Sequence, residues 1–244
     1  MILKRNFWST EGSNSFEQTK ILFNQLAPFF NETIRTWLFI RNIDENYKAV
    51  SDARNEIFDS FGIEEPYFAS TGIGRPDDQF YPNERIHLVA LIVPGLDKSE
   101  LVAMSNELIM PHTKTYNVRF ERGMIYKNNY IISGTASIDG QGDVKYKGDL
   151  INQIHQALSN INSLLVKYGE HLQHANEVTG YVRHKDFIKP VKQECTNIFP
   201  FIKWDIKEGK ICRPEWLVEF ETIIISNQHE RNENVQNNKE KENR

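Results

Sequence analysis

The chain has 244 residues, of which 39% are hydrophobic and 25% are charged, with a formal net charge of -4. This is the composition of a globular protein with a real core, and the slightly acidic balance favours neither nucleic acid nor an acidic membrane surface as a partner. No apolar run approaches the ~20 residues of a membrane span, and the first ten residues lack the apolar centre of a signal peptide. Cys195 and Cys212 are not spaced as metal ligands. We therefore expect free thiols, a cytoplasmic location, and no metal or organic cofactor.

The first half of the chain predicts helices that alternate with strands. Helical spacing of apolar residues predicts a helix over 15–31, and a second helix over 46–61 ends at Gly62, a residue suited to helix termination. Apolar and β-branched residues predict strands from Ile34 to Ile40 and from Ile86 to Val93. Residues 67–74 are typical of a short strand or turn, whereas residues 96–110 fit no single element.

The second half shows a clearer pattern. Asp149 is placed to cap a helix that runs to about Tyr168, because apolar residues recur along one face with a 3.6-residue period. The other elements expected here are, in order, strands Val118 to Tyr126 and Asn129 to Ile138, strand Val178 to Arg183, helix 186–197, and strands Phe199 to Asp205 and Trp216 to Ile225. Residues 227–244 are almost entirely polar and predict a disordered tail. The order of elements predicts an α+β fold with helices on one face of mixed sheets.

The final predicted strand carries the most informative residues. Side chains alternate along a strand, so Glu219 and Glu221 share one face of an apolar segment. Two such carboxylates are costly unless they reach water, a cation or a substrate. Cys212 and Arg213, just upstream, are close enough to reach the same cleft. The segment therefore predicts an anion-binding active site, although an exposed edge strand would carry the same charges.

Five segments, taken together and in chain order, resemble the chorismatase family. Each matches a short family motif: Ile34-Arg35-Thr36-Trp37 with Asn42-Ile43 and Arg54; Ala69-Ser70-Thr71-Gly72-Ile73-Gly74; Ile132-Ser133-Gly134-Thr135-Ala136-Ser137-Ile138 with Gly148-Asp149 and Asn160; Tyr181-Val182-Arg183; and Cys212-Arg213 with Leu217-Val218-Glu219-Phe220-Glu221. One such match would carry little weight, but five in order make a specific signal.

The resemblance implies a fold similar to the RidA/YjgF family, built from two α/β units. We expect residues 1–110 to form an incomplete first unit, because the chain is shorter than usual members, and residues 111–226 to form the second unit with the site. The family's tyrosine- and arginine-rich stretch is poorly kept over residues 111–123, where only Phe120 and Arg122 match. Because of this departure, the sequence determines the identity of the substrate less well than it determines the fold.

The resemblance also implies an activity, the removal of pyruvate from chorismate by cleavage of its enolpyruvyl ether. It places Glu219 at the position of the family's catalytic acid. It further implies carboxylate binding by Arg213, Arg183 and Arg122, and substrate contacts from Gly134, Thr135, Ala136 and Tyr181. Such chemistry requires that Glu219 face a cavity, and two arginines across that cavity would fit the two carboxylates of chorismate.

The resemblance implies Cys212 as a second catalytic residue beside Glu219. Cys212 also bears on the product, because a cysteine at this position resembles the subgroup that makes 3-hydroxybenzoate. A small residue there marks the subgroup that stops at a dihydroxycyclohexadiene carboxylate. Two other functions stay open at this point: a RidA-like enamine or imine hydrolase, and a non-catalytic member that binds a small carboxylate or a partner protein. By analogy of fold, we expect a monomer or a RidA-like homotrimer.

Overall fold

The computed structural model describes residues 1–226, and the predicted disordered tail lies outside them. The elements of the first half are β1 (Leu3–Trp8), α1 (Ser15–Leu26), β2 (Thr33–Ile40), α2 (Ile43–Ser60), β3 (Ala69–Gly74) and β4 (Ile86–Ile92). The second half contains β5 (Leu101–Met104), β6 (Gly123–Tyr126), β7 (Asn129–Ala136), α3 (Leu150–Lys167), β8 (Glu177–Val182), α4 (Ile188–Ile198), β9 (Lys203–Glu208), β10 (Lys210–Ile211) and β11 (Val218–Ile225).

Within residues 1–226, the strands form a five-stranded sheet in the order β1-β4-β2-β3-β10 and a six-stranded sheet in the order β5-β6-β7-β11-β8-β9. The two sheets repeat one topology. In the first, β4 pairs antiparallel with β1 and β2, and β2 pairs parallel with β3. In the second, β11 pairs antiparallel with β7 and β8, and β8 pairs parallel with β9. The described first unit has no counterpart of the β5–β6 pair. The predicted α+β class and the incomplete first unit are therefore confirmed.

Each pair of helices covers one face of its own sheet. Helices α1 and α2 pack with the first sheet around Phe23, Phe58 and Leu88, whereas α3 packs with the second sheet around Leu158 and Phe220. A third buried cluster, which includes Ile34, Met124 and Ile131, joins the two sheets. The described part of the chain thus has apolar cores under both helical layers and a further one between the sheets.

Local sequence explains where the main helices begin. The Asn14 side chain accepts a hydrogen bond from the Glu17 backbone N–H, and the Asp149 side chain accepts one from the Asn152 N–H, so both helices start at a capping residue. Helix α1 ends at Leu26, earlier than expected, because a 3-10 segment follows from Ala27 to Glu32. Among residues 1–226, no helix combines the length and the apolarity needed to span a bilayer.

Several strand boundaries differ from the sequence prediction for local reasons. Strand β1 was not predicted because Lys4, Arg5 and Asn6 are exposed on an edge strand and hide its pattern. Strand β6 begins at Gly123 rather than at residue 118, because the preceding segment runs beside the first unit, where Glu121 forms an isolated bridge with Ala69.

The two units also exchange strands across the predicted boundary at residue 110. Strand β5 precedes that boundary, yet it pairs with β6 in the second sheet. Strand β10 follows it by about a hundred residues, yet Ile211 pairs with Ile73 in the first sheet. The segment that leads from β10 into β11 therefore crosses from one sheet to the other, and Cys212 and Arg213 lie on it.

Candidate active site

A cavity of about 200 Å³ lies where the two units meet. Its walls come from α2, from β2 and β3, from the loop before β6, from β7, and from the segment that joins β10 to β11. Strand β10 covers only Ile73 and Gly74 of β3, so the first part of that strand is left beside the cavity. The polar side chains that line the cavity are Tyr47, Ser51, Arg54, Ser70, Thr71, Tyr116, Arg122, Cys212, Arg213 and Glu219.

Glu219 is the one carboxylic acid that lines this cavity among the described residues. Its side chain is only 5% exposed, and no hydrogen bond within residues 1–226 reaches its carboxyl group. Burial, together with the nearby charge of Glu221, raises the pKa of Glu219 to about 8, against the lowering effect of Arg122 and Arg35. At neutral pH the group is therefore largely protonated and able to give up a proton.

Glu221, two residues further along β11, has a different environment. Its carboxylate forms an ion pair with Arg35 at 2.5 Å and accepts hydrogen bonds from Trp37 Nε1 at 2.8 Å and Tyr181 OH at 2.9 Å. The two carboxyl groups of one strand face therefore differ in their surroundings: Glu221 has three side-chain partners, and Glu219 has no hydrogen-bond partner among the described residues.

Gly134 permits the position of the Glu219 carboxyl group. A Cβ built on Gly134 would stand 2.4 Å from Glu219 Oε1 and 2.8 Å from Thr71 Cγ2, distances that no side chain can occupy. The pairing of β11 with β7 shifts register between Phe220 and Thr222, opposite this glycine. A bulge of this kind redirects side chains beside a site, and here it brings Glu219 against the backbone of β7.

Two buried arginines line the cavity without an acidic partner. Arg54, on α2, is 4% exposed, and its Nε and Nη2 atoms have no hydrogen-bond acceptor within residues 1–226. The Nε atom of Arg122 is likewise buried without an acceptor, although its Nη2 donates to the Pro111 carbonyl at 3.2 Å. Burial lowers the pKa of Arg122 to about 10 and also lowers that of Arg54, yet both remain cations at neutral pH. Buried cations of this kind are stabilised by an anionic ligand.

Arg213 and Tyr116 complete the cationic side of the cavity. The guanidinium of Arg213 lies 4.8 Å from the ring centroid of Trp216 and 5.6 Å from that of Tyr116, and its Nη1 donates to the Gly142 carbonyl. Arg122 lies 5.6 Å from the same Tyr116 ring. The buried phenol oxygen of Tyr116 has no hydrogen-bond partner among the described residues.

Cys212 contributes a neutral thiol to the cavity wall. Burial, helped by the charge of Glu219, raises the pKa of Cys212 to about 12. Tyr47, whose pKa burial also raises, lines the same cavity as Cys212 and Ser51. At neutral pH Cys212 is therefore present as a thiol rather than as a thiolate.

The structure brings most of the predicted site residues together. Glu219, Cys212, Arg213, Arg122, Gly134 and Ala136 all line the cavity. Arg54 also lines it but was not predicted as a site residue, although its motif match was recognised in the sequence. In the sequence, Arg54 is a single arginine in a predicted amphipathic helix. A solvent-exposed arginine would look the same, so the sequence pattern does not mark Arg54 as a site residue.

Three predicted substrate contacts do not line the cavity. Arg183 forms an ion pair with Asp44 at 2.9 Å and donates to the carbonyls of Ile211, Arg213 and Trp216, so its guanidinium is occupied by the protein. Thr135 faces the other side of β7, where its hydroxyl donates to the Ser133 carbonyl at 3.0 Å. Tyr181 lies behind the site and donates to Glu221. Sequence spacing alone does not show which way these three side chains point.

Within the described residues, no group of three or more His, Cys, Asp or Glu side chains is arranged to hold a metal ion.

Comparison with solved structures identifies the fold. A chorismatase solved at 1.08 Å resolution aligns over 91% of this chain and 74% of its own, with a TM-score of 0.77 and 21% sequence identity. A putative L-PSP endoribonuclease from Entamoeba histolytica covers 52% of this chain at 16% identity and a TM-score of 0.46. The YjgF gene product of E. coli covers 51% at 17% identity and a TM-score of 0.43. No family model and no curated protein matches the sequence.

The chain therefore has the fold of the solved chorismatase, built from two α/β units that repeat one topology and of which the first is incomplete. The resemblance noted in the sequence is confirmed at the level of the fold.

Proposed function

We propose that this protein hydrolyses the enolpyruvyl ether of chorismate and releases pyruvate, with Glu219 as the general acid. The observation that carries the proposal is that one cavity is lined by both a proton donor and cations that lack an anionic partner. A buried carboxyl group with a raised pKa lies in the same walls as Arg54 and Arg122, two buried cations that lack a carboxylate partner. A ligand with two carboxylates and an acid-labile ether meets both.

The proposed reaction begins with transfer of the Glu219 proton to the terminal methylene carbon of the enolpyruvyl group. The double bond supplies the electrons for the new C–H bond, which leaves an oxocarbenium ion at the ether carbon. Water adds to that carbon and loses a proton, and the resulting hemiketal collapses to pyruvate and a ring alcohol. Glu219, now a carboxylate, regains a proton as the water is consumed. Removal of such an acid typically costs ~10²–10⁴ in rate.

The arginines of the cavity are proposed as carboxylate clamps. Arginine binds carboxylates through two parallel N–H donors, and burial strengthens that interaction. Arg54 and Arg122 are the clamps that the protein leaves free, and Arg213 is a third cation held beside them by Trp216 and Tyr116. Occupation of the site by a dianion would also relieve the cost of burying unpartnered cations.

The product follows from what happens to the ring after pyruvate departs. Hydrolysis alone gives a dihydroxycyclohexadiene carboxylate, and loss of one further water from that composition gives 3-hydroxybenzoate. We propose 3-hydroxybenzoate, on the basis of Cys212, which lines the cavity beside Glu219. An enzyme of this kind would supply an aromatic acid to a secondary pathway.

The alternative enamine or imine hydrolase requires one arginine for a single small carboxylate. The cavity is lined by three arginines, so a substrate with two carboxylates fits it better. A non-catalytic binder would have no use for a buried acid that is protonated at neutral pH.

The test is incubation of the purified protein with chorismate, followed by chromatography of the products. We expect pyruvate and 3-hydroxybenzoate in equal amounts. Pyruvate with the diene acid would retain the reaction and reject the role of Cys212, and a Cys212→Ala variant would then give the same product. Absence of pyruvate, together with turnover of 2-iminobutyrate, would replace chorismate hydrolysis by imine hydrolysis.

A further inference from the structure

The hydroxyl group of Thr71, on β3, has an unusual set of partners. The residue is 2% exposed and lines the cavity. Its Oγ1 accepts one hydrogen bond from Arg35 Nη2 at 2.8 Å and another from the Gly134 backbone N–H at 2.9 Å. A hydroxyl oxygen has two lone pairs and one hydrogen, and guanidinium and amide groups can only donate. Both lone pairs are therefore filled, and the Thr71 hydroxyl can act only as a donor.

That hydrogen has no acceptor within residues 1–226. A buried O–H group without an acceptor is costly, and nearly all such groups in folded proteins are satisfied by the protein, by water or by a ligand. Because Thr71 lines the cavity, a molecule that occupies the cavity can supply the missing acceptor.

Thr71 and the Glu219 carboxyl group converge on one point. A Cβ built on Gly134 would stand 2.8 Å from Thr71 Cγ2 and 2.4 Å from Glu219 Oε1. The two side chains therefore approach the same part of β7 from different strands. The atom of Thr71 that this distance locates is its methyl carbon, and its hydroxyl oxygen lies 2.9 Å from the backbone nitrogen of the same Gly134. A ligand atom that receives the proton of Glu219 therefore lies near the Thr71 side chain.

We propose that the Thr71 hydroxyl donates a hydrogen bond to the carboxylate of the enolpyruvyl group and thereby orients the methylene carbon toward Glu219. This inference rests on the proposed function. In the enolpyruvyl group, one carbon bears the methylene, the carboxylate and the ether oxygen, so a donor beside the acid reaches the carboxylate. A carboxylate oxygen is also a far better acceptor than a vinyl ether oxygen. Thr71 does not activate water, because its lone pairs are already filled.

The test uses Thr71→Val, which removes the hydroxyl at nearly constant volume, and Thr71→Ser, which keeps it. Thr19→Val is the matched control, since Thr19 is a fully buried threonine on α1 that does not line the cavity. Binding is measured by calorimetry for 3-(1-carboxyvinyloxy)benzoate and for 3-(vinyloxy)benzoate, which lacks the side-chain carboxylate. Pyruvate release from chorismate is measured alongside.

We expect Thr71→Val to weaken binding of the carboxylate-bearing compound roughly 10- to 100-fold, the loss typical of a hydrogen bond to a charged group. Binding of 3-(vinyloxy)benzoate should change less than about twofold, and Thr71→Ser should restore both binding and turnover. Equal weakening for the two compounds would overturn the inference, because it would reveal a purely structural role through Arg35 and Gly134. Unchanged binding of both would overturn it as well.

The binding comparison separates this inference from the proposed function. A wild-type chain that binds the carboxylate-bearing compound through Thr71 but releases no pyruvate contradicts the hydrolysis alone. A wild-type chain that releases pyruvate, with Thr71→Val as active as the parent, contradicts the role of Thr71 alone.

Discussion

Gly134 and Glu219 lie on neighbouring antiparallel strands, so close together that a single added methyl group on Gly134 would stand 2.4 Å from a carboxyl oxygen of Glu219. Position 134 requires glycine because the Glu219 carboxyl group lies so close to it, and not because of its backbone dihedral angles. The acid is thus held against a strand backbone in a buried place, which is also the reason for its raised pKa.

Gly134→Ala should therefore displace the Glu219 carboxyl group. We expect a loss of at least tenfold in kcat/KM and a destabilisation of ~1–3 kcal/mol, as is usual for overpacking. Gly140→Ala is the matched control, because the nearest atom to its Cβ would be the Leu108 carbonyl oxygen at 3.6 Å. Pyruvate release and thermal unfolding check both variants. A Gly134→Ala variant with the parent's kcat/KM would show that the position of Glu219 is not critical.

The pKa of Glu219 predicts how activity depends on pH. Because the acid must be protonated, kcat/KM should be constant below about pH 8 and should fall about tenfold per pH unit above it. The falling limb is measured as pyruvate release between pH 6 and pH 10. A profile that instead rises through pH 8 would assign Glu219 the role of a base.

The same raised pKa affects stability. A carboxyl group whose pKa is higher in the folded than in the unfolded state stabilises the fold most when both states are protonated. Its contribution is fully present below pH 4.5 and is lost as the pH rises through about 8. Glu219→Gln removes this dependence, so the difference in unfolding free energy between the parent and the variant should shrink with pH across that window. Parallel curves would show that the folded and unfolded pKa values are equal.

Arg54 provides a test in which stability and activity should move in opposite directions. Arg54→Met removes a buried cation without an acidic partner, which should stabilise the free protein by ~1–3 kcal/mol. The same change should lower kcat/KM by ~10²-fold, since a buried carboxylate clamp is lost. Arg119→Met is the control, because Arg119 forms an ion pair with Asp59 and does not line the cavity. A destabilised Arg54→Met variant with normal KM would show that Arg54 is structural.

Replacement of Arg183 should destabilise the protein, in contrast to replacement of Arg54. The guanidinium of Arg183 bridges Asp44 to three backbone carbonyls of the segment that carries Cys212 and Arg213. Arg183→Met leaves these groups buried and unpaired, so we expect a loss of ~3–5 kcal/mol in thermal or denaturant unfolding. Normal stability with a raised KM would make Arg183 a substrate clamp, as the sequence resemblance implied.

The sequence predicted the α+β class and most elements because their apolar periods are long and clear, as in α3 and β4. It also predicted that Glu219, Cys212 and Arg213 share a cleft, since strand alternation and short spacing constrain them. Edge strand β1 was missed because its exposed polar residues weaken the pattern.

Long-range geometry could not be predicted from the same residues. The sequence resemblance made Arg183 a substrate contact and left Arg54 out, because the partner of a buried arginine is set by tertiary packing across the two units. Asp44, which pairs with Arg183, is 139 residues away from it in the chain. The donor role of Thr71 likewise depends on Arg35 and Gly134, which lie on two other strands.

The central claim is that Glu219 supplies the proton, and the most direct test is pyruvate release from chorismate at pH 7 by the parent and by Glu219→Gln. Glu215→Gln is the control, because Glu215 is exposed near Lys147 and does not line the cavity. We expect Glu219→Gln to lose ~10²–10⁴ in kcat with intact folding, and Glu215→Gln to match the parent. A Glu219→Gln variant that releases pyruvate at the parent's rate would contradict this account.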